Sequence, residues 1–109
     1  MQGFRGGGGI NELVKQAARM QRKVEAAKTQ IKDKEVSGTA AGDKVKAVVN
    51  CEGVVKRLEI DPEFLKNEGL ELCLDALCAA VNTAMTAAEK EVDEHVSKAT
   101  GGMKIPGVF

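Results

Sequence analysis

The sequence predicts an α+β domain built in the order long helix, three-stranded antiparallel meander, short helix, long helix. Three observations carry that expectation. Apolar residues recur every three and four positions near both ends of the chain, the spacing of a helix face. Between these stretches the period drops to two, as in half-buried strands. Turn clusters containing glycine separate the short alternating runs. The 109 residues fit one domain, and a 43% apolar fraction supports a core. With only 3% aromatic residues that core is thin, so completion by a second subunit is expected.

Gly6 to Gly9 read as a flexible glycine-rich leader spanning residues 1–9. A phosphate loop is not expected there, because no strand precedes the run and no Gly-Lys-Ser/Thr follows it. From Ile10 the seam Ile10, Leu13, Ala17, Met20, Val24, Ala27 and Ile31 keeps heptad spacing, the mark of a helix packed lengthwise on another helix. Asn11 is the expected N-cap and Glu12 suits the first turn. The helix should run to about Lys34, roughly 33 Å at 1.5 Å per residue. Val36–Ala40, Lys44–Cys51 and Val54–Ile60 follow as strands, with turns at Ala41–Asp43 and Glu52–Gly53. Val45, Ala47, Val49 and Cys51 should share one face, as should Val54, Leu58 and Ile60, with Lys56 the odd member. A three-stranded sheet leaves two open edges, which proteins cover or pair.

Asp61-Pro62 reads as an N-cap followed by proline at the first helical position. It opens a short helix over 63–68 that Gly69 stops. A long helix is expected from Leu70 to Ala99, where an eleven-residue recurrence replaces the heptad and predicts a nearly straight rod. The two long helices should therefore pack antiparallel along only part of their length. Gly101-Gly102 ends the last helix, and residues 101–109 are expected to form an irregular apolar tail. The single domain thus spans residues 10–100.

Sixteen basic and sixteen acidic groups cancel, but they are unevenly placed. Residues 1–34 carry eight basic against three acidic groups, and residues 61–109 carry four against nine. Such polarity suggests a charged partner or internal pairing. Lys15, Arg19, Arg22 and Lys23 form a basic stripe, which Glu89, Glu91, Asp93 and Glu94 would neutralise if the antiparallel helices brought them together.

Catalysis is not expected, nor is a cofactor or a small-molecule substrate. The one histidine, His95, has no nucleophile at a spacing that suggests a triad. Cys73 and Cys78 lie five apart on a helix, about 140° around the axis at 3.6 residues per turn, and cannot share a metal. With no apolar leader, the three cysteines are expected as free thiols in a reducing cytoplasm. No unbroken run of about 18 apolar residues occurs, so no membrane span is expected.

The ordered features are Lys15-Gln16-Ala17 with Met20-Gln21, Gly38-Thr39-Ala40-Ala41-Gly42, Asn50 with Gly53, Glu59-Ile60-Asp61-Pro62, Asn82, and Gly101-Gly102-Met103-Lys104-Ile105-Pro106-Gly107. Together, from about Ile10 to Gly107, they resemble the YbaB/EbfC family of bacterial nucleoid-associated proteins. The pattern departs from the family at Asp43 and Cys51, where glycine is common. The resemblance implies a tweezer-like homodimer joined through its sheets. It implies binding of double-stranded DNA between the arms with little sequence preference, and a nucleoid role in gene expression. Carried onto this chain, the candidate DNA-contacting residues are Lys15, Arg19, Arg22, Lys23 and Lys28. The alternative is a protein-interaction module whose charged helices pair internally and whose Met103–Phe109 tail docks a partner.

Overall fold

The computed structural model describes the backbone of residues 2–102 and the side chains of residues 9–102. The elements are α1 (Gln2–Ile31), β1 (Glu35–Ala40), β2 (Val45–Asn50), β3 (Val55–Ile60), α2 (Pro62–Glu68) and α3 (Leu70–Ala99). The α+β order expected from the sequence is the order observed. The body measures 79 × 20 × 19 Å, because α1 continues far beyond everything it packs against.

Strand order is β1-β2-β3, antiparallel throughout. Val36, Gly38 and Ala40 of β1 pair across to Val49, Ala47 and Val45 of β2, and together they make the face on which α3 lies. The core joins Val45, Ala47 and Val49 to Ala80, Ala84 and Ala88 of α3, with Val36, Ile60, Phe64 and Met85 packed around them. Alanine at every fourth position of α3 gives it a smooth face, and Gly38 opposite lets it settle closely. A Cβ at Gly38 would stand 2.5 Å from both Ala80 O and Ala84 N.

Two local departures from the sequence reading have clear causes. The β2–β3 register slips between Val48 and Val49, so that Arg57 faces Val48 but Val55 faces Val49. Lys56 is the extra residue of this bulge, and it puts Val55 rather than Val54 in line with Leu58 and Ile60. Helix α1 begins at Gln2, so Asn11 is not its cap and the run Gly6–Gly9 has helical backbone. Glycine costs about 1 kcal/mol relative to alanine in a helix. It removes no hydrogen bond, however, and extending a formed helix adds one bond per residue.

Asp61 caps α2 as expected, its side chain accepting from Glu63 N with Pro62 in the first turn. Asn50 is buried, and its Oδ1 accepts from Glu52 N at 3.0 Å and Val54 N at 2.9 Å. This closes the β2–β3 turn around Gly53, whose φ of 91° lies in the left-handed region that glycine tolerates. The same turn is tied to the end of α1. Cys51 N–H donates to Lys34 O at 3.0 Å, and Glu52 N–H donates to Lys32 O at 3.1 Å.

The seam between the long helices is shorter than its sequence pattern. Val24 and Ala27 are buried against Val96 with Val92 beside them, and Ile31 is buried at the root of α1. Ile10, Leu13 and Val14 remain 61–65% exposed. The middle of α3, around Ala80, Ala84 and Ala88, lies on the sheet, so only its last turns are left to pair with α1. Helix α3 is long and apolar enough, by length and composition alone, to cross a membrane, a property that a search for an unbroken apolar run does not register. Its buried residues (Cys73, Ala80, Ala84, Ala88 and Val96) pack inside the domain.

Candidate nucleic-acid interface

Helix α1 presents Lys15, Arg19 and Arg22 at positions i, i+4 and i+7, one line along the helix at 3.6 residues per turn. The line is opposite the side that buries Val24 and Ala27. All three side chains are exposed, as is Lys23 on the flank of the row. Among the described residues, none of these four cations has a carboxylate within 4 Å.

The reason lies in the helix register. Lys34 meets Glu91, Gln30 meets His95, and Val24 meets Val96, which places the acidic end of α3 beside the last turns of α1 and the residues just after it. The four cations lie further out, at and beyond the level where α3 stops. Among the described residues, neutralisation of this acidic end from the α1 side therefore reduces to one pair, Lys34 Nζ–Glu91 Oε2 at 2.7 Å, with Lys34 just after α1. That hydrogen bond holds the Lys34 ammonium above and the Glu91 carboxyl below their ordinary ranges. His95, the lone histidine, has Nε2 3.2 Å from Gln30 Oε1, a contact that ties the two helices together.

Lys28 occupies a different place. It is half-buried on the inner side of α1 and lines a groove of about 770 Å³ with Lys32, Met85, Glu89, Val92 and Asp93. Lysines on one wall face carboxylates on the other across an apolar floor. Cys51 lies at the same groove, where burial pushes its thiol up and the Glu91 charge adds to the effect. Lys32, which the sequence reading left out of the site, shares this groove because it follows Lys28 by one helical turn. Cys73 is buried and Cys78 exposed, and among the described residues no group of three or more His, Cys, Asp and Glu is placed to hold a metal.

A second surface lies at the other end of the molecule. Helix α3 covers β1 and β2 but barely reaches β3. Leu58 on β3 is 49% exposed, and Val55 on the same strand, Leu65 on α2, and Leu70, Leu72 and Leu74 at the start of α3 are exposed as well. The outer strand β3 is also an unpaired sheet edge in the single chain.

Residues 6–103 match the YbaB/EbfC DNA-binding family. The chain belongs to that family. Among curated relatives, a nucleoid-associated protein of Acetivibrio thermocellus is 41% identical over 109 residues, covering 98% of this chain and 96% of the relative. A nucleoid-associated protein of Clostridium kluyveri is 37% identical over 106 residues, covering 97% and 93% respectively. One of Alkaliphilus metalliredigens is 39% identical over 111 residues, covering 99% and 97%. The fold is shared with the crystal structure of the uncharacterised protein HP0035 of Helicobacter pylori. That similarity has a TM-score of 0.59 at 23% identity, covering 72% of this chain and 83% of the other.

Proposed function

We propose that this YbaB/EbfC chain is a non-enzymatic, nucleoid-associated protein of the bacterial cytoplasm that binds double-stranded DNA as a homodimer. The observation that carries this reading is the exposed, unpaired row Lys15, Arg19 and Arg22, with Lys23 beside it, on a helix that extends past its partner. The row spans about 10 Å of helix, and a duplex carries about six phosphates over that axial length. Guanidinium and ammonium groups on such a rod bind phosphates and release counterions, which gives affinity without reading bases. Lys28 joins the contact set where a phosphate reaches the mouth of the groove. The exposed apolar patch around Leu58 supports pairing of two copies through their sheets, which would give each dimer two cationic arms. Changes in nucleoid organisation and gene expression follow from coating the duplex.

Salt-titrated fluorescence anisotropy with mixed-sequence duplex tests the reading. Non-specific Kd should be on the order of 10⁻⁴–10⁻⁶ M at physiological salt. With about six phosphates contacted per dimer, log K against log salt should have a slope near −5. Arg19→Glu with Arg22→Glu should weaken binding at least tenfold in a protein that remains folded, since both side chains are exposed. Unchanged affinity in that double variant would remove α1 as the contact surface. The exposed stripe Ile10, Leu13 and Val14 favours a second reading, a protein-docking module. Absence of salt-dependent retention on mixed-sequence duplex would favour that module.

A further inference from the structure

The apolar seam of α1 outruns the helix that covers it. Val24 and Ala27 are buried with Val96 of α3, while Ile10, Leu13 and Val14 on the same side are 61%, 65% and 61% exposed. Ala17 is exposed as well. Helix α3 ends at Ala99, a short step beyond Val96, so in the antiparallel register it stops at about the level of Gln21. Ile10, Leu13 and Ala17 keep the heptad spacing, which asks for another helix as partner. The positions that border them along the seam are Val14, Gln16 and Gln21, so no charge flanks the stripe. Lys15, Arg19 and Arg22 stand about half a turn around the axis from it.

We propose that the outer stripe of α1, formed by Ile10, Leu13, Val14 and Ala17, pairs antiparallel with the same stripe of a second copy of this chain. Charge decides that two such cationic helices can meet here. Their seam is bordered by valine and glutamine, and the cations of each rod face outward. The position of α3 decides the direction. In a parallel pair both copies of α3 would lie between the two rods from Gln21 inward and hold them apart, and Lys23 would face Lys28 of the other copy across the seam. An antiparallel pair overlaps tip to tip and advances only until each tip meets the end of the other α3. That overlap sets Ile10 across from Leu13 and Leu13 across from Ile10, a self-complementary contact of two-fold symmetry. It continues the seam that α3 occupies further in. Four side chains a copy bury far less than the roughly 1,200 Å² of a stable interface, so the contact is weak, with Kd on the order of 10⁻³ M. Lys15, Arg19 and Arg22 stay uncovered. On a duplex the contact would join neighbouring molecules through their tips, a consequence that rests on the duplex-binding reading; the pairing itself does not.

Amide resonances followed from micromolar to millimolar protein, without DNA, test the pairing. Those of residues 10–17 should shift progressively with concentration, and the fitted association should not weaken as salt is raised, because apolar contact is not screened. Leu13→Asp should weaken that association at least tenfold while helical circular dichroism is retained. Ala26→Asp adds the same charge to the exposed outer side of α1 and should leave the association unchanged. Resonances of residues 10–17 that ignore concentration overturn the proposal and assign the stripe to an occupant other than a second copy. A response that survives Leu13→Asp, or that fades with added salt, overturns it too. Shifts confined to β3 and α2 do the same and leave pairing through the sheet standing. Because DNA is absent throughout, failure here leaves the duplex-binding reading untouched.

Discussion

At Gly38 strand β1 and helix α3 touch backbone to backbone. A methyl group there would stand 2.5 Å from Ala80 O and Ala84 N and 3.0 Å from Ala84 Cα. No flexible side chain can give way, so the helix itself must lift from the sheet. Overpacking typically costs 1–3 kcal/mol, occasionally more, and this site belongs at the upper end. Gly38→Ala should lower stability in urea unfolding by about 3 kcal/mol. The sequence placed Gly38 within the short strand Val36–Ala40 but gave no sign of this contact, because closeness of a helix to a strand is a tertiary property. By contrast, the inward face Val45, Ala47 and Val49 could be read directly from alternation. Cys51 was expected to extend that face but is only half-buried, since β2 ends at Asn50 and the chain turns there.

Among the elements, the bounds of α3 and the cap of α2 were legible because their signals are local. Gly69, Asp61-Pro62 and Gly101-Gly102 mark them without help from the rest of the fold. The start of α1 was not legible, since glycine weakens a helix without ending it. The bulge at Lys56 was not legible either, because register depends on two strands together. The Asp61 cap gives α2 a pH dependence. Its carboxylate accepts from Glu63 N–H at 2.9 Å and lies 3.4 Å from Lys44 Nζ. The backbone hydrogen bond first, and then Lys44, hold it below the usual carboxylate range. A group depressed on folding stabilises above its unfolded pKa, and that contribution is lost as pH falls through the folded value. The Glu91 carboxylate, paired with Lys34, has the same sign. Urea midpoints should therefore drop on acidification. Asp61→Asn should keep the cap at neutral pH, since Asn and Asp cap equally well, and should show a shallower loss in acid.

For the whole molecule, the sequence supplied the cationic row but not its freedom from pairing. That depends on where α3 stops along α1, which emerges only after the middle of α3 has been committed to the sheet. The apolar face around Leu58 was anticipated only as open strand edges. If two copies join there, Leu58→Asp should convert the dimer to a single subunit in sedimentation equilibrium while secondary structure is retained. Duplex affinity should then fall and the salt slope should halve, because each particle keeps one arm. The ties from Cys51 N–H and Glu52 N–H to the carbonyls of Lys34 and Lys32 have a torsional consequence. They pin the base of the rod, so its azimuth is set at the sheet and cannot adjust to whatever lies alongside. One alanine inserted after Lys23 would preserve every charge yet swivel Lys15, Arg19 and Arg22 by about 100° around the axis.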